Sequence, residues 1–200
     1  MRDHVMAFKN LLLKDVRVTA RSPWELLAVL VFSSLSAIPA ALVPLDSLQN
    51  TTKLVLLFIT IYISTQTYVK EGRAGTIDIY HLYPLAPSIH FLAKLSYTWV
   101  LLQASLTLYT ITLLLLGIPP GELSRLTVEW LSLTLHLSAS SSLASLISTY
   151  LKAETTLLVA ITAIMVTPAL ISIGDPVTQA TLGLAYAIVA LIVAELLEEV

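Results

Sequence analysis

Long apolar runs separated by short polar breaks make up most of this chain. Each run approaches the length of about 20 residues that an α-helix needs to cross the hydrocarbon core of a bilayer. The breaks are rich in proline, glycine and charged residues, which end helices. The pattern predicts an all-α integral membrane protein with six spanning helices, at residues 24–44, 54–69, 95–116, 126–150, 155–173 and 177–197.

A different pattern precedes the first apolar run. In residues 1–22 apolar side chains recur at helical spacing between basic ones, which predicts an amphipathic helix lying on the membrane surface. The apolar positions are Val5, Phe8, Leu12 and Val16. The basic positions are Lys9, Lys14, Arg17 and Arg21.

The most polar internal segment is the loop at residues 70–94, between the second and third predicted spans. Gly75 frees the backbone ahead of Thr76, which can cap a helix, and Asp78 lies in the first turn, where the helix dipole favours an anion. Pro84 ends the run after about two turns. A second proline, Pro87, can open the third span near its first turn. We expect a short helix parallel to the membrane that docks against a peripheral protein. An interfacial helix that only anchors the loop is the alternative.

Composition supports the membrane interpretation. Hydrophobic residues make up 56% of the 200 residues and charged residues 12%, against about 45–50% and 25% in soluble domains. The formal net charge of -2 argues against nucleic acid as a partner, because phosphate binding needs a concentrated basic face. The absence of cysteine excludes a disulfide framework, a thiolate metal site and a cysteine nucleophile. Membrane lipid is the expected surrounding.

Charge distribution predicts the orientation of the chain. Of the 11 lysine and arginine residues, all except Lys53 and Arg125 fall on one side of the six predicted spans. Basic residues collect on the cytoplasmic side of membrane proteins. Both termini and the loop at 70–94 are therefore predicted to face the cytoplasm.

Two strings of the sequence resemble a known family. They are LLLKDVRVTARSPWELL at 11–27 and EGRAGTIDIYHLYPLAPSIHFLAKLSYTWV at 71–100. Both look like the ABC transporter permease of cytochrome c biogenesis, the heme exporter protein B family, within the wider ABC-2 permease group. The positions of the second string that match the group's pattern are Glu71, Gly75-Thr76, Asp78, Pro84 with Pro87, and Ala93-Lys94. Lys14-Asp15 in the first string and Trp99 in the second favour the cytochrome c branch. The second half of the chain matches the family only in helix count and hydrophobicity.

The resemblance implies a permease subunit that supports heme delivery for cytochrome c maturation in a prokaryotic inner membrane. It implies a cytoplasmic ATPase subunit, a homodimer or heterodimer of permeases, and heme-handling membrane proteins as partners. Heme is then a candidate substrate, and no cofactor is expected in the chain itself. The residues implied in ATPase coupling are Glu71, Gly75, Thr76, Ile77, Asp78, Tyr80, Tyr83 and Pro84. Tyr80, His81 and Tyr83 depart from the family, which usually carries leucines and small polar residues there.

ATP hydrolysis is expected in a separate chain. No G-x-x-x-x-G-K-[ST] phosphate loop occurs among the six glycines. The chain is therefore predicted to be a non-catalytic subunit that transmits the energy of ATP without binding the nucleotide.

Polar side chains in the fourth predicted span form a second candidate site, a substrate path through His136, Ser138 and Ser142. A neutral imidazole there can ligate heme iron, line a polar path or hydrogen-bond a neighbouring helix. Ser138 and Ser142, with the serines at 141, 145 and 148, share a face roughly opposite His136. That face serves either close helix packing or a polar path. Hydrogen bonds to neighbouring helices are also predicted for Gln66, Gln103 and Gln179.

Other classes of function explain less of the pattern. An intramembrane enzyme would need a motif such as H-E-x-x-H or G-x-S-x-G, and neither occurs. A passive channel or a secondary transporter does not explain the structured loop at 70–94, and both usually carry more charge within the membrane. Within the ABC class, the alternative is an ABC-2 exporter of a lipid, drug or polysaccharide.

Overall fold

The described part of the chain is a bundle of α-helices. The structure, a computed structural model, describes residues 2–21, 23–66, 87–150, 155–171 and 175–198. Seven helices occupy these residues: α1 Arg2–Arg21, α2 Pro23–Ala41, α3 Leu45–Gln66, α4 Pro87–Leu115, α5 Pro120–Tyr150, α6 Thr155–Ile171 and α7 Pro176–Glu198. The predicted all-α class is confirmed for these residues.

Three of these helices are long and apolar enough to cross a membrane. They are α2, the stretch Ser88–Leu115 of α4, and the stretch Pro176–Leu196 of α7. Large apolar side chains such as Leu35 on α2 and Ile192 on α7 are exposed, and extensive exposed apolar surface marks contact with lipid or protein. A shorter apolar helix, Val159–Pro168, lies within α6. The helices are compatible with a membrane location.

Proline begins four of the seven described helices. Pro23, Pro87, Pro120 and Pro176 each occupy the first position, where the missing N–H has no intrahelical partner and the fixed φ already suits a helix. Two of these starts precede the predicted spans by more than one residue. The helix α4 begins at Pro87 rather than residue 95, and α5 begins at Pro120 rather than residue 126.

Pro87 opens α4, as predicted, and the helix therefore includes the last residues of the predicted loop at 70–94. Residues 87–94 form the first turns of this helix, because a proline at the first position favours helix rather than ending it. The helix α3 also begins earlier than predicted, at Leu45 rather than at residue 54. Thr51 and Thr52 donate their hydroxyl hydrogens to the carbonyls of Ser47 and Leu48 at 3.0 and 2.9 Å, so these polar residues are accommodated within a helix.

The chain leaves α4 through a glycine turn. Gly117 has a φ of 92°, a left-handed conformation that other residues adopt at a cost. Its N–H donates to the carbonyl of Leu114, and the N–H of Ile118 donates to that of Leu113, both at 3.1 Å. These are the two bonds of a Schellman motif. Ile118 packs against the core, and the turn leads directly into α5.

The helix α5 is the centre of the bundle and packs against α3, α4, α6 and α7. Its closest neighbour is α7, because Gly183 faces the backbone of His136. A Cβ atom added at Gly183 would lie 3.0 Å from both the Cα and the N of His136. Glycine therefore permits an approach of α5 and α7 that a side chain would obstruct.

The N-terminal segment is helical, as predicted, but its apolar positions divide between two surroundings. Leu11 is buried against Ile89 and Ala93 of α4, and Phe8 packs against the same cluster. Val5 and Val16 are exposed. One side of α1 is therefore fixed to the bundle, while apolar residues on another side stay uncovered by the described residues.

Candidate functional site

The predicted coupling segment falls between two described helices. Its residues Glu71, Gly75, Thr76, Ile77, Asp78, Tyr80, Tyr83 and Pro84 lie outside the described part of the chain. The structure does describe both flanks: α3 ends at Gln66 and α4 begins at Pro87. The first turns of α4 are joined to α1, and we call this contact the α1–α4 junction.

The α1–α4 junction is built from one residue in each successive turn of α1. Leu11 contacts Ile89 and Ala93 of α4. In the next turn Asp15 contacts Lys94, and one turn further Thr19 contacts Tyr97. Each of these two pairs is joined by a hydrogen bond. Residues four apart lie on one helix face, so Leu11, Asp15 and Thr19 present a single face to α4. The residue numbers rise together on both helices, so α1 and α4 run in the same sense along this contact rather than antiparallel.

The centre of the junction is a buried ion pair. The Lys94 Nζ donates a hydrogen bond to Asp15 Oδ1 at 2.8 Å, and the two side chains are only 4% and 7% exposed. Lys14 lies 3.6 Å from the same oxygen with a side chain that is 38% exposed. A buried pair holds its geometry firmly, because the loss of either partner leaves an uncompensated charge. Both residues lie in the strings that carry the family resemblance, but the sequence did not predict that they pair.

The second candidate site lies in the middle of α5. The His136 side chain is fully buried, and its ring lies against the ring of Tyr186 on α7, with centroids 5.2 Å apart and an angle of 31°. Within the described residues neither ring nitrogen has a hydrogen-bond partner. The same residues contain no group of three or more histidine, cysteine, aspartate or glutamate side chains arranged to hold a metal ion. The side chain of His136 thus meets α7 through a ring contact with Tyr186.

The serine side of α5 faces a different helix. Ser145 donates to the carbonyl of Ser64 on α3 at 2.9 Å. Ser138 donates to the carbonyl of Leu135 in its own helix, also at 2.9 Å. The hydroxyl of Ser142 is buried with no partner among the described residues. His136 thus contacts α7 and Ser145 contacts α3, so these two side chains of α5 face different helices.

One of the three predicted hydrogen bonds from glutamines to neighbouring helices is observed directly. Gln103 on α4 donates through Nε2 to the hydroxyl of Thr134 on α5 at 2.7 Å, which confirms the predicted link between helices. Gln179 is buried, and the side chain of Gln66 lies outside the described residues.

A polar cluster between α3 and α5 was missed by the sequence analysis. Gln49 donates to the carboxylate of Glu129, and Lys53, which is 5% exposed, interacts electrostatically with that carboxylate. Nearby, the hydroxyls of Thr52 and Tyr109 are 3.0 Å apart. Lys53 was counted as a loop residue, but α3 begins at Leu45 and the lysine lies inside the helix. The sequence did contain a signal for this cluster: Lys53 lies beside one predicted span, and the oppositely charged Glu129 lies within another.

Comparisons of this chain with models of protein families, with curated proteins and with solved structures found no match. The family resemblance is therefore carried by the two strings of the sequence alone.

Proposed function

We propose that this chain is the permease subunit of an ATP-binding cassette transporter, with α2 to α7 crossing the membrane and α1 on its cytoplasmic surface. The helices α2, α4 and α7 support the spans by length and hydropathy. The more polar α3 and α5 can join them because many of their hydroxyl groups bond to backbone carbonyls of the protein. Thr60 donates to the carbonyl of Leu56 at 2.7 Å, and Ser140 donates to that of His136 at 2.9 Å. Polar groups in the bilayer core must find their hydrogen-bond partners within the protein, because no water is available there.

The α1–α4 junction is the observation that carries the transport proposal. The predicted coupling segment directly precedes α4, and the Asp15–Lys94 pair lies in the second turn of that helix. A helix is stiff along its axis, so a displacement at its first residues moves the whole of α4. The buried pair would move α1 with it. An ATPase that docks on the segment would thereby act on a surface helix and a spanning helix together.

The proposed partners follow from this arrangement and from the family resemblance. A cytoplasmic ATPase subunit would bind the segment that contains Ile77, Tyr80 and Tyr83. Two permeases, identical or related, would pair with two ATPase subunits, because closed two-fold assemblies are the commonest oligomers. The chain itself would be non-catalytic, and it would lie in a prokaryotic inner membrane with both termini in the cytoplasm.

Heme delivery for cytochrome c maturation is the proposed role, and it rests on the resemblance of the two strings. The contact of Ser145 supports a packing role for this serine, because its hydroxyl bonds to the backbone carbonyl of Ser64 on α3. From that resemblance we propose heme as the substrate of the assembled transporter. The permease would transmit force in this transporter whether or not heme passes through it. An ABC-2 exporter of another substrate is the alternative.

A double substitution in the coupling segment tests the function. Ile77→Ala with Tyr80→Ala should leave the protein inserted and abundant, because the spanning helices are unchanged. It should weaken copurification of the ATPase, since trimming a docking anchor costs about 1 kcal/mol or more for each hot spot, and it should abolish cytochrome c maturation. The matched control is Leu184→Ala with Ile192→Ala on the exposed face of α7.

Each result of that experiment has a distinct meaning. A double variant that keeps its ATPase and its activity reduces the segment to an interfacial anchor and removes the main support for the proposal. The alternative, an ABC-2 exporter of another substrate, is favoured by two results together. The double variant loses its ATPase, and a strain that lacks the permease still matures cytochromes c.

A further inference from the structure

Two adjoining cavities form a groove along α2. The larger has a volume of about 330 Å³ and lies between α2 and α3, lined by Ala28, Val29, Phe32, Phe58, Ile59 and Tyr62. The smaller continues toward the start of α2 and shares Val29 and Tyr62 with the first. We call the two together the α2–α3 groove.

The α2–α3 groove changes from apolar to polar along its length. Its larger part is lined almost entirely by hydrocarbon and aromatic groups, and Phe58 at its edge is 60% exposed. The smaller part adds Thr19, Glu25 and Tyr97. Among the described residues that line the groove, Glu25 alone carries a charge. From Glu25 to Phe32 the helix α2 rises by about 10 Å.

The polar end of the groove lies at the level expected for lipid headgroups. Trp24 precedes Glu25 and is strongly exposed, and Arg21 is exposed at the end of α1. Exposed tryptophan and arginine at the start of an apolar helix mark the membrane interface. The apolar end, one and a half to two turns further along α2, would then face the acyl chains.

We propose that the α2–α3 groove is a binding site for one phospholipid with an ethanolamine headgroup. An acyl chain fits between Phe32 and Phe58, and the ammonium lies toward the carboxylate of Glu25. A carboxylate attracts a cationic headgroup and repels an anionic one. The cavity is within the range of about 300–1,000 Å³ typical of small-molecule sites, whereas a helix from another protein, about 10–12 Å wide, would cover such a groove rather than enter it. The site requires membrane placement of α2 and α3 but neither an ATPase nor heme.

Native mass spectrometry of the purified full-length chain tests the site. The protein is equilibrated with equal amounts of phosphatidylethanolamine and phosphatidylglycerol, with no ATPase or heme present. Retention of phosphatidylethanolamine should exceed that of phosphatidylglycerol by about two- to fivefold, the range that one partly exposed ion pair supplies. Glu25→Gln should bring the ratio close to one while lipid is still retained.

Filling the groove provides the second measurement. Ala28→Phe should release the retained lipid, and Ala185→Phe, at an exposed alanine of α7 outside the groove, should not. Should Ala28→Phe fail to accumulate, Phe58→Ala keeps the fold, because this side chain is largely exposed, and should lower lipid retention by removing one wall.

Several results would overturn the proposal. Equal retention by the Ala28→Phe and Ala185→Phe variants would show that lipid does not occupy the groove, and an unselective wild type would contradict the role of Glu25. Phe58→Cys tests whether a second copy of the chain occupies the groove instead of lipid. Because the chain has no other cysteine, efficient formation of disulfide-linked dimers in the membrane would assign the groove to that second copy. Since these measurements need no ATPase, failure here and failure of the transport proposal are separable.

Discussion

Asp15 on α1 accepts a hydrogen bond of 2.8 Å from Lys94 in the second turn of α4, and both side chains are buried. The residues are 79 positions apart in sequence. The pair fixes a helix that the sequence assigns to the membrane surface onto a helix long and apolar enough to cross the membrane. A movement of either helix at this point must involve the other.

The first prediction concerns the energy of this pair. Lys94→Met leaves a buried carboxylate without its main partner and should lower the free energy of unfolding by about 3–5 kcal/mol. Lys14→Met removes the more exposed lysine, 3.6 Å from the same oxygen, and should cost about 1 kcal/mol or less. Thermal unfolding in detergent measures both. Combining Lys94→Met with Asp15→Asn should restore part of the loss, and equal destabilisation by the two lysine variants would contradict a buried pair.

A second prediction tests the close contact of α5 and α7. Gly183→Ala places a Cβ atom 3.0 Å from two backbone atoms of His136, and such overpacking should cost about 1–3 kcal/mol. Gly121→Ala is the matched control, because no atom lies within 4 Å of the added Cβ, and it should be neutral or stabilising. Melting temperatures compare the two. If both alanines are tolerated alike, the helices are further apart than described.

The order of the helices could be predicted from the sequence, because each apolar run is long. An error of a few residues at its ends does not change the order. The starts of helices were harder to place. Pro120 belongs to a Pro-Pro-Gly break that suggested only an end, yet it occupies the first position of α5. Thr51 and Thr52 looked like loop residues because their hydroxyls are polar, and within α3 those hydroxyls bond to the preceding turn.

The contacts of the candidate sites could be predicted only in part. Asp15 and Lys94 were each singled out by the family resemblance, but their pairing depends on how α1 lies against α4. Gln103 was predicted to bond to another helix, and Thr134 as its partner required the structure. Glu129 lies in an apolar span and meets Gln49 from 80 positions away, a relationship that no local pattern contains.

A third prediction uses pH at the start of α7. Asp175 accepts hydrogen bonds from the Thr178 hydroxyl and from the Val177 N–H, the latter at 3.1 Å, and these bonds hold its pKa below the usual range of an aspartate. A lowered folded pKa means that the cap stabilises the protein above the unfolded pKa and that this contribution is lost as pH falls through the folded value. Asp175→Ala should therefore lower the melting temperature at pH 7, and the difference from wild type should shrink below about pH 4.

The outcome that opposes this prediction is a constant difference between the two proteins. A melting-temperature gap that stays the same from pH 7 to pH 3 would show that the carboxylate charge does not contribute to the cap.

The fourth prediction concerns topology. Single cysteines at positions 50, 121 and 175 should react with an impermeant thiol reagent in intact cells, since these positions are predicted to face outside. A cysteine at position 76 should react only after the membrane is opened, because basic residues concentrate on that side of the chain. The cysteine-free sequence provides the background without further changes. Labelling of position 76 in intact cells would reverse the orientation.

Site-specific photo-cross-linking from position 80 tests the account most directly. A photoreactive amino acid in place of Tyr80, in cells that express the full chain, should form an adduct with a protein that contains a G-x-x-x-x-G-K-[ST] phosphate loop. The same amino acid in place of Leu184 on the exposed face of α7 should capture no such protein. An adduct with that ATPase at position 80 alone is the result that the proposed coupling role predicts, and adducts at position 80 with lipid only would contradict it.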